Sequence, residues 1–224
     1  SSMYFSINDN SFSPIEPRVG LTYGLGKASK LSFGYGLHSQ ILPGYLYYYS
    51  QETIDRDPQE HNLDLGLQKS HHLVLGYEQI LGQNFRLKAE TYYQHLFDIP
   101  VEVQASSFSL VNSGSGFSRF FPDTLVNEGT GRNFGVELTL EKFFSGGYYF
   151  LVTGSVFDSK YRGSDDVLRN TVFNGRYAFN GLIAKEFTFG NGSALNIGGK
   201  ATYTGGRWYG PVDIEASKEQ LEII

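Results

Sequence analysis

From Phe134 to Glu141 the chain alternates Phe134, Val136, Leu138 and Leu140 with Gly135, Glu137, Thr139 and Glu141. A period of two is the signature of a β-strand with one apolar and one polar face. The pattern recurs along the chain. Leu31, Phe33, Tyr35 and Leu37 oppose Ser32, Gly34, Gly36 and His38, while Phe85, Leu87 and Ala89 oppose Arg86, Lys88 and Glu90. Phe173, Tyr177, Phe179, Ile183 and Phe187 oppose Asn174, Arg176, Asn180 and Glu186. Leu195, Ile197, Ala201 and Tyr203 oppose Asn196, Lys200, Thr202 and Thr204. Tyr148–Lys160 reads apolar on both faces near its start. Lys185 falls in an apolar row, close enough to the strand end for its amine to reach an interface.

The predicted strands come in pairs. Ile15–Leu25 and Lys30–Ile41, Ser70–Leu81 and Phe85–Phe97, Asn133–Phe144 and Tyr148–Lys160, and Val172–Phe189 and Ala194–Gly205 are each joined by a short connector rich in Gly, Asn and Ser. That is hairpin turn chemistry. The connections between pairs, residues 42–69, 98–132 and 161–171, are long and polar, a size uncommon in compact soluble domains. Strict alternation of short turns and long loops is the organisation of an outer-membrane barrel. The predicted strands run 11 to 18 residues, against about 5–6 in ordinary globular sheets. About 10 tilted residues cross an apolar band about 25 Å tall. The expectation is an all-β, antiparallel transmembrane β-barrel segment whose apolar rows face lipid and whose polar rows line an aqueous interior. Aromatic residues near strand ends (Tyr23, Phe143, Phe144, Tyr148, Tyr149, Phe187, Phe189) match interfacial girdles. A soluble β-sandwich or β-helix carries the same alternation and is the competing fold.

Composition narrows the choices. A net charge of −5 disfavours nucleic acid as a partner, because phosphate backbones require a basic face. With no Cys, disulfides and thiolate metal sites are excluded, and no other cofactor is indicated. No apolar run reaches the ~18 residues of a transmembrane helix. Mean hydropathy of −0.27 resembles a soluble protein, yet barrels have polar lumens and weak per-strand signals. Residues 1–224 open on strand-like SSMYFSIN, so any secretion signal is expected to have been removed or to lie upstream.

Met3–Ile7 reads as the end of an earlier strand, which brings the expected count to about nine. Single-chain bacterial barrels hold even numbers, and ASKEQLEII at the end carries no aromatic closing strand. Residues 1–224 are therefore expected to be an interior part of a larger barrel rather than a small eight-stranded one.

At IEPRVGLTYGL (15–25), SHHLVLGYEQIL (70–81), VNEGTGRNFGVELTLEKFF (126–144), DSKYRGSDDVLRNTVFNGRYAFNGLIAKEF (158–187) and GGRWYGPVD (205–213) the sequence resembles the TonB-dependent outer-membrane receptors, in particular those of Bacteroidetes. The resemblance implies a barrel of 22 strands in the Gram-negative outer membrane, with its long loops extracellular. It implies import of a scarce nutrient, such as an iron-siderophore, cobalamin or a glycan, driven by the TonB complex through a plug domain. Plug and closing strands have no counterpart in these residues, so 1–224 is expected to be a partial receptor barrel domain in contact with outer-membrane lipid. A lipoprotein partner would go with glycan uptake.

No catalytic constellation is present: there is no phosphate loop, HExxH or nucleophile elbow. An outer-membrane lipase is disfavoured accordingly, and a surface adhesin or binding module on a β-scaffold remains the alternative to a receptor. His71 and His72 are adjacent in a strand and point to opposite faces, so they cannot share a metal ion. His61 with Asp55, Asp57, Glu60 and Asp64, and the tandem Asp165-Asp166, read as solvated loops before cation sites. Candidate ligand contacts are Tyr45, Tyr47, Tyr48 and Tyr49, beside Pro43, and Arg207, Trp208 and Tyr209. Aromatic rings at a barrel mouth stack on sugars or planar chelates, and they also serve as girdle or loop packing. Phe117, Arg119, Phe120 and Phe121 are placed to act as a flap. The charges Arg86, Lys88, Glu90, Glu137, Glu141 and Arg176 are expected to line the lumen and to form ion pairs and hydrogen bonds with a plug or with neighbouring strands.

Overall fold

The computed structural model describes residues 14–53, 56–113 and 124–208, with the backbone alone for 51–53 and 56–60. Eight long strands form four hairpins in chain order: β1 (Arg18–Gly24) with β2 (Ser29–Gln40), β5 (Gln68–Leu81) with β6 (Phe85–Glu102), β7 (Leu125–Ser145) with β8 (Tyr148–Arg162), and β10 (Tyr177–Thr188) with β11 (Ala194–Thr204). A short β9 (Leu168–Asn170) adds to the far end of β8, giving one antiparallel sheet of nine strands in the order β1-β2-β5-β6-β7-β8-β10-β11. Between the first two hairpins lie a one-turn helix α1 (Gly44–Tyr47) and a small hairpin of β3 (Ser50–Thr53) and β4 (Arg56–Glu60).

The hairpin turns all lie at one end of the sheet. Gly146 and Gly147 take positive φ of 62° and 77°, the left-handed pair that lets a two-residue turn follow the strand twist. Lys142 braces this turn, donating to the Ser145 and Tyr148 carbonyl oxygens at 2.7 and 2.9 Å with its Nζ 3.7 Å from the Tyr148 ring centroid.

Register sorts the side chains. Residues paired across an antiparallel ladder share a face. The row Phe33–Leu75–Thr91–Val136–Val156–Tyr177 is continuous over six strands, and Leu31–Tyr77–Ala89–Leu138–Gly154–Phe179 lies below it. This face is apolar and open: Val136, Leu138 and Ile183 are 56, 52 and 55% exposed. The other face carries Lys30, Glu78, Arg86, Lys88, Glu90, Glu137 and Glu141, where Lys30 meets Glu78 at 3.1 Å, Lys88 meets Glu90 at 2.6 Å and Arg86 meets Glu141 at 2.5 Å. The two-faced start of Tyr148–Lys160 resolves: Phe150 and Val152 pair with Lys142 and Leu140 on the apolar face, and Leu151 lies on the polar one.

Buried apolar side chains gather beyond the long-loop end of the sheet. Leu42, Leu46, Tyr47, Leu65 and Leu125 form a cluster, joined by Leu63, Phe108 and Leu110. The sheet itself hides almost nothing between layers. That is the arrangement of a wall, with its core displaced to one rim.

Several expectations need correction. The strand expected over Val172–Phe189 begins at Tyr177, because Thr171–Asn174 closes a turn and Arg176 takes a φ of 67°. Arg176 therefore lies in the turn rather than in the strand's polar row, and its guanidinium lies over the Trp208 ring at 5.0 Å. The expected loop 98–132 contains strand instead: β6 runs to Glu102 and β7 starts at Leu125. Pro100 is tolerated because the β6–β7 register shifts on both sides of Ile99. Likewise, the loops 42–69 and 161–171 hold β3, β4 and β9. Met3–Ile7 lies outside the described residues, so the nine strands of the large sheet include β9 where the sequence suggested that earlier segment.

Candidate functional site

The long-loop rim is the part of the molecule with both order and exposed functional groups. Two amide side chains bind its loops together. Asn62 is fully buried, and its Oδ1 accepts from the Leu125 amide at 2.8 Å. Asn127 accepts from the Gly66 amide at 2.7 Å and donates to the Asp98 carbonyl oxygen at 2.8 Å, reaching both neighbouring connections. A second network joins residues 103–113 to 163–172. The Ser106 amide donates to Ser164 Oγ at 3.0 Å, the Val172 amide donates to Asn112 Oδ1 at 2.7 Å, and Asn112 Nδ2 donates to the Tyr161 hydroxyl at 3.4 Å. Asp165 receives Arg169 through two hydrogen bonds of 2.6 and 2.7 Å. That guanidinium holds the Asp165 carboxyl below the usual carboxylate range. Burial raises the Tyr47 phenol above its usual value.

The tyrosines expected to contact ligand separate by position. α1 turns Tyr47 into the rim core, where it is 3% exposed, while Tyr45 and Tyr48 on the same turn are 54 and 58% exposed. Tyr49 is half-buried. Tyr47 is the ring of this group least open to a ligand; Tyr45 and Tyr48 are exposed and Tyr49 is partly so.

Trp208 sits on the turn that precedes β10. Its indole Nε1 donates to the Asn174 carbonyl oxygen at 2.7 Å, and its amide donates to the Val172 carbonyl oxygen at 3.2 Å. Arg207 is described beside it; Tyr209 and the segment Phe117–Phe121 lie outside the described residues. About 43% of Trp208 remains exposed, so part of its ring is open although its N–H is committed.

His71 and His72 fall on opposite faces, as adjacent strand residues must. His71 stacks on Phe97 at 5.0 Å and shares a 3.0 Å hydrogen bond with the Tyr35 hydroxyl. His72 faces His38 on the polar side at 6.3 Å between ring centroids. Among the described residues no group of three or more His, Asp or Glu is placed to hold a metal ion. His61 is exposed, and its acidic neighbours at 55, 57 and 60 have no described side chains.

Sequence reasoning missed Asn62, Asn127 and Asn112. Single amides in long polar loops carry no pattern, and only the bonds they make across 60 or so residues reveal them.

Two solved structures share the fold of this sheet. The chain is similar to the ferric yersiniabactin uptake receptor FyuA from Yersinia pestis, with a TM-score of 0.59 and 18% identity over 86% of this chain and 26% of that one. It is also similar to the FrpB iron transporter from Neisseria meningitidis (F3-3 variant), with a TM-score of 0.51 and 16% identity over 86% of this chain and 28% of that one. The likeness is one of fold: an antiparallel β-barrel wall. The chain spans about a quarter of the length of these proteins. No family model matches the sequence, and no curated protein does.

Proposed function

We propose that the chain is part of the barrel of a TonB-dependent outer-membrane receptor that imports a scarce nutrient. The apolar face touches lipid, the polar face lines the lumen, and the braced loops stand on the extracellular side. The observation that carries this reading is the sorting of apolar and polar side chains to opposite faces across the middle of the paired strands, together with hairpin turns at one end and long loops at the other. A soluble sheet with this much exposed Val, Leu, Ile and Phe would aggregate; a membrane supplies the missing solvent.

The polar face supports a second body in the lumen. Glu90 and Glu137 stand directly opposite each other. Lys88 neutralises Glu90, and Glu137 makes no ion pair among the described residues. Like charges so placed are unfavourable without a counter-charge, which a plug domain elsewhere in the parent chain would supply. Of the ligand candidates at the rim, Tyr45, Tyr48, Arg207 and Trp208 are exposed, Tyr49 is partly exposed and Tyr47 is buried. The nutrient classes are those of the family: a ferric chelate, cobalamin or a glycan.

The test is growth of cells carrying the full chain, with ferric chelates, cobalamin and glycans offered as sole sources, in the presence and absence of TonB. Growth on one source that requires both the chain and TonB is expected. Growth unaffected by TonB, or cell adhesion as the only phenotype, overturns the receptor reading in favour of a surface-binding module.

A further inference from the structure

On β5 to β8 one apolar row interrupts the polar face. Val74 pairs with Tyr92, Tyr92 with Gly135, and Gly135 with Phe157. The row on its long-loop side is His72–Gln94–Asn133–Ser159, and the row on its hairpin side is Gly76–Glu90–Glu137–Ser155. Rows of one facing lie about 7 Å apart, so amides border the apolar row on one side and carboxylates on the other. A strict alternation would place polar side chains at Val74, Tyr92 and Phe157; all three are instead apolar or aromatic, and half-buried.

Gly135 sets the posture of the Tyr92 ring. A β-carbon there would lie 2.7–2.8 Å from the Tyr92 hydroxyl, Cζ and Cε1, so the phenol end rests on the bare backbone of the neighbouring strand. His72 meets the ring at 88° with 6.4 Å between centroids and limits its swing. The polar groups above run in one direction. Thr171 Oγ1 donates to Ser159 Oγ at 2.9 Å, Ser159 Oγ donates to Asn133 Oδ1 at 2.6 Å, and Asn133 Nδ2 donates to Gln94 Oε1 at 3.0 Å. Such chains polarise their members. The amide N–H groups of Gln94 and the second N–H of Asn133 are left without a partner among the described residues. Neither row holds a Lys or Arg on β5 to β8.

A ring laid along a wall, beside uncharged N–H donors, suits a pyranose. The C–H face of the sugar packs on the aromatic ring, and its hydroxyls take the amides at the edge. An anionic ferric chelate calls for cations that these rows lack. We propose that Tyr92 and Phe157 form a platform for one ring of a neutral oligosaccharide, with Gln94 and Asn133 donating to its hydroxyl oxygens. The inference rests on the receptor reading above and names its nutrient class, a glycan held on the lumen wall below the rim.

The experiment uses the full chain in a detergent without a sugar headgroup. Calorimetric titrations compare a library of neutral plant and microbial oligosaccharides, a ferric tricatecholate and cyanocobalamin. Binding by at least one oligosaccharide, and by neither other probe, is expected. Tyr92→Ala should weaken that binding about tenfold or more. Gly135→Ala, which pushes the ring off the wall, should weaken it too. Gln94→Glu keeps the acceptor for Asn133, removes the free N–H groups and should cost about three- to tenfold. Tyr92→Phe, which keeps the ring, should stay within about threefold. Thermal unfolding in the same detergent reads folding apart from binding; should Tyr92→Ala not assemble, Gly135→Ala and Gln94→Glu carry the test. No bound oligosaccharide, affinity unchanged in these variants, or binding of the chelate or cobalamin in place of sugar overturns the proposal. TonB-dependent growth on a ferric chelate would overturn the sugar platform and leave the receptor reading standing. Sugar binding lost in the variants, without TonB-dependent growth, would do the reverse.

Discussion

Gly205 and Gly175 meet backbone to backbone: a β-carbon on Gly205 would overlap the Gly175 carbonyl oxygen. The contact joins the end of β11 to the turn before β10, and that turn seats Trp208. Gly205→Ala should force the two segments apart and loosen Trp208, at a cost of about 1–3 kcal/mol typical of overpacking. Hydrogen exchange of the Trp208 amide, bonded to the Val172 carbonyl at 3.2 Å, should accelerate in the variant. Exchange in β5 to β8 should be unchanged.

Tyr47 and Tyr48 are neighbours with opposite fates. Tyr47→Ala removes a buried ring from the rim cluster and should cost about 3–5 kcal/mol, in line with large aromatic truncations. Tyr48→Ala, at an exposed position, should stay within about 0.5 kcal/mol. Denaturation of the two variants in detergent checks the ranking. Nutrient affinity is expected to fall in Tyr48→Ala without a change in folding.

The Asp165–Arg169 pair makes part of the rim pH-sensitive. Arg169 lowers the folded pKa of Asp165. The stabilisation is therefore fully present above the unfolded carboxylate value of about 3.9 and fades as pH falls through the lower folded value. Exchange at the Asp165 amide, which donates to the Ser106 carbonyl at 3.3 Å, should rise as pH drops below about 4, after correction for intrinsic rates. Asp165→Asn should show the faster exchange at neutral pH and lose the pH dependence.

The eight long strands and their facing were legible because the alternation is local: Leu138 and Glu137 announce opposite sides without reference to any other residue. Hairpin turns were legible for the same reason, through glycine at positions such as Gly146 and Gly147. The extension of β6 past Pro100 was not, because a proline ordinarily ends central pairing and the register shift at Ile99 that admits it leaves no sequence mark. The start of β10 was misplaced because Val172 and Phe173 continue the apolar alternation across a turn. At the rim, the tyrosine group announced itself by composition, but which tyrosine α1 buries depends on Leu42, Leu65 and Leu125, far apart in sequence.

Everything functional here depends on which face meets hydrocarbon, and a pair of adjacent substitutions measures it. Leu138→Arg places a charge in the middle of the apolar field and should destabilise the barrel assembled in lipid by about 2–4 kcal/mol. Glu137→Gln, on the polar face, should change stability little. Folding titrations of the full chain in bilayers that give this ranking agree with the account; a harmless Leu138→Arg beside a damaging Glu137→Gln would contradict it.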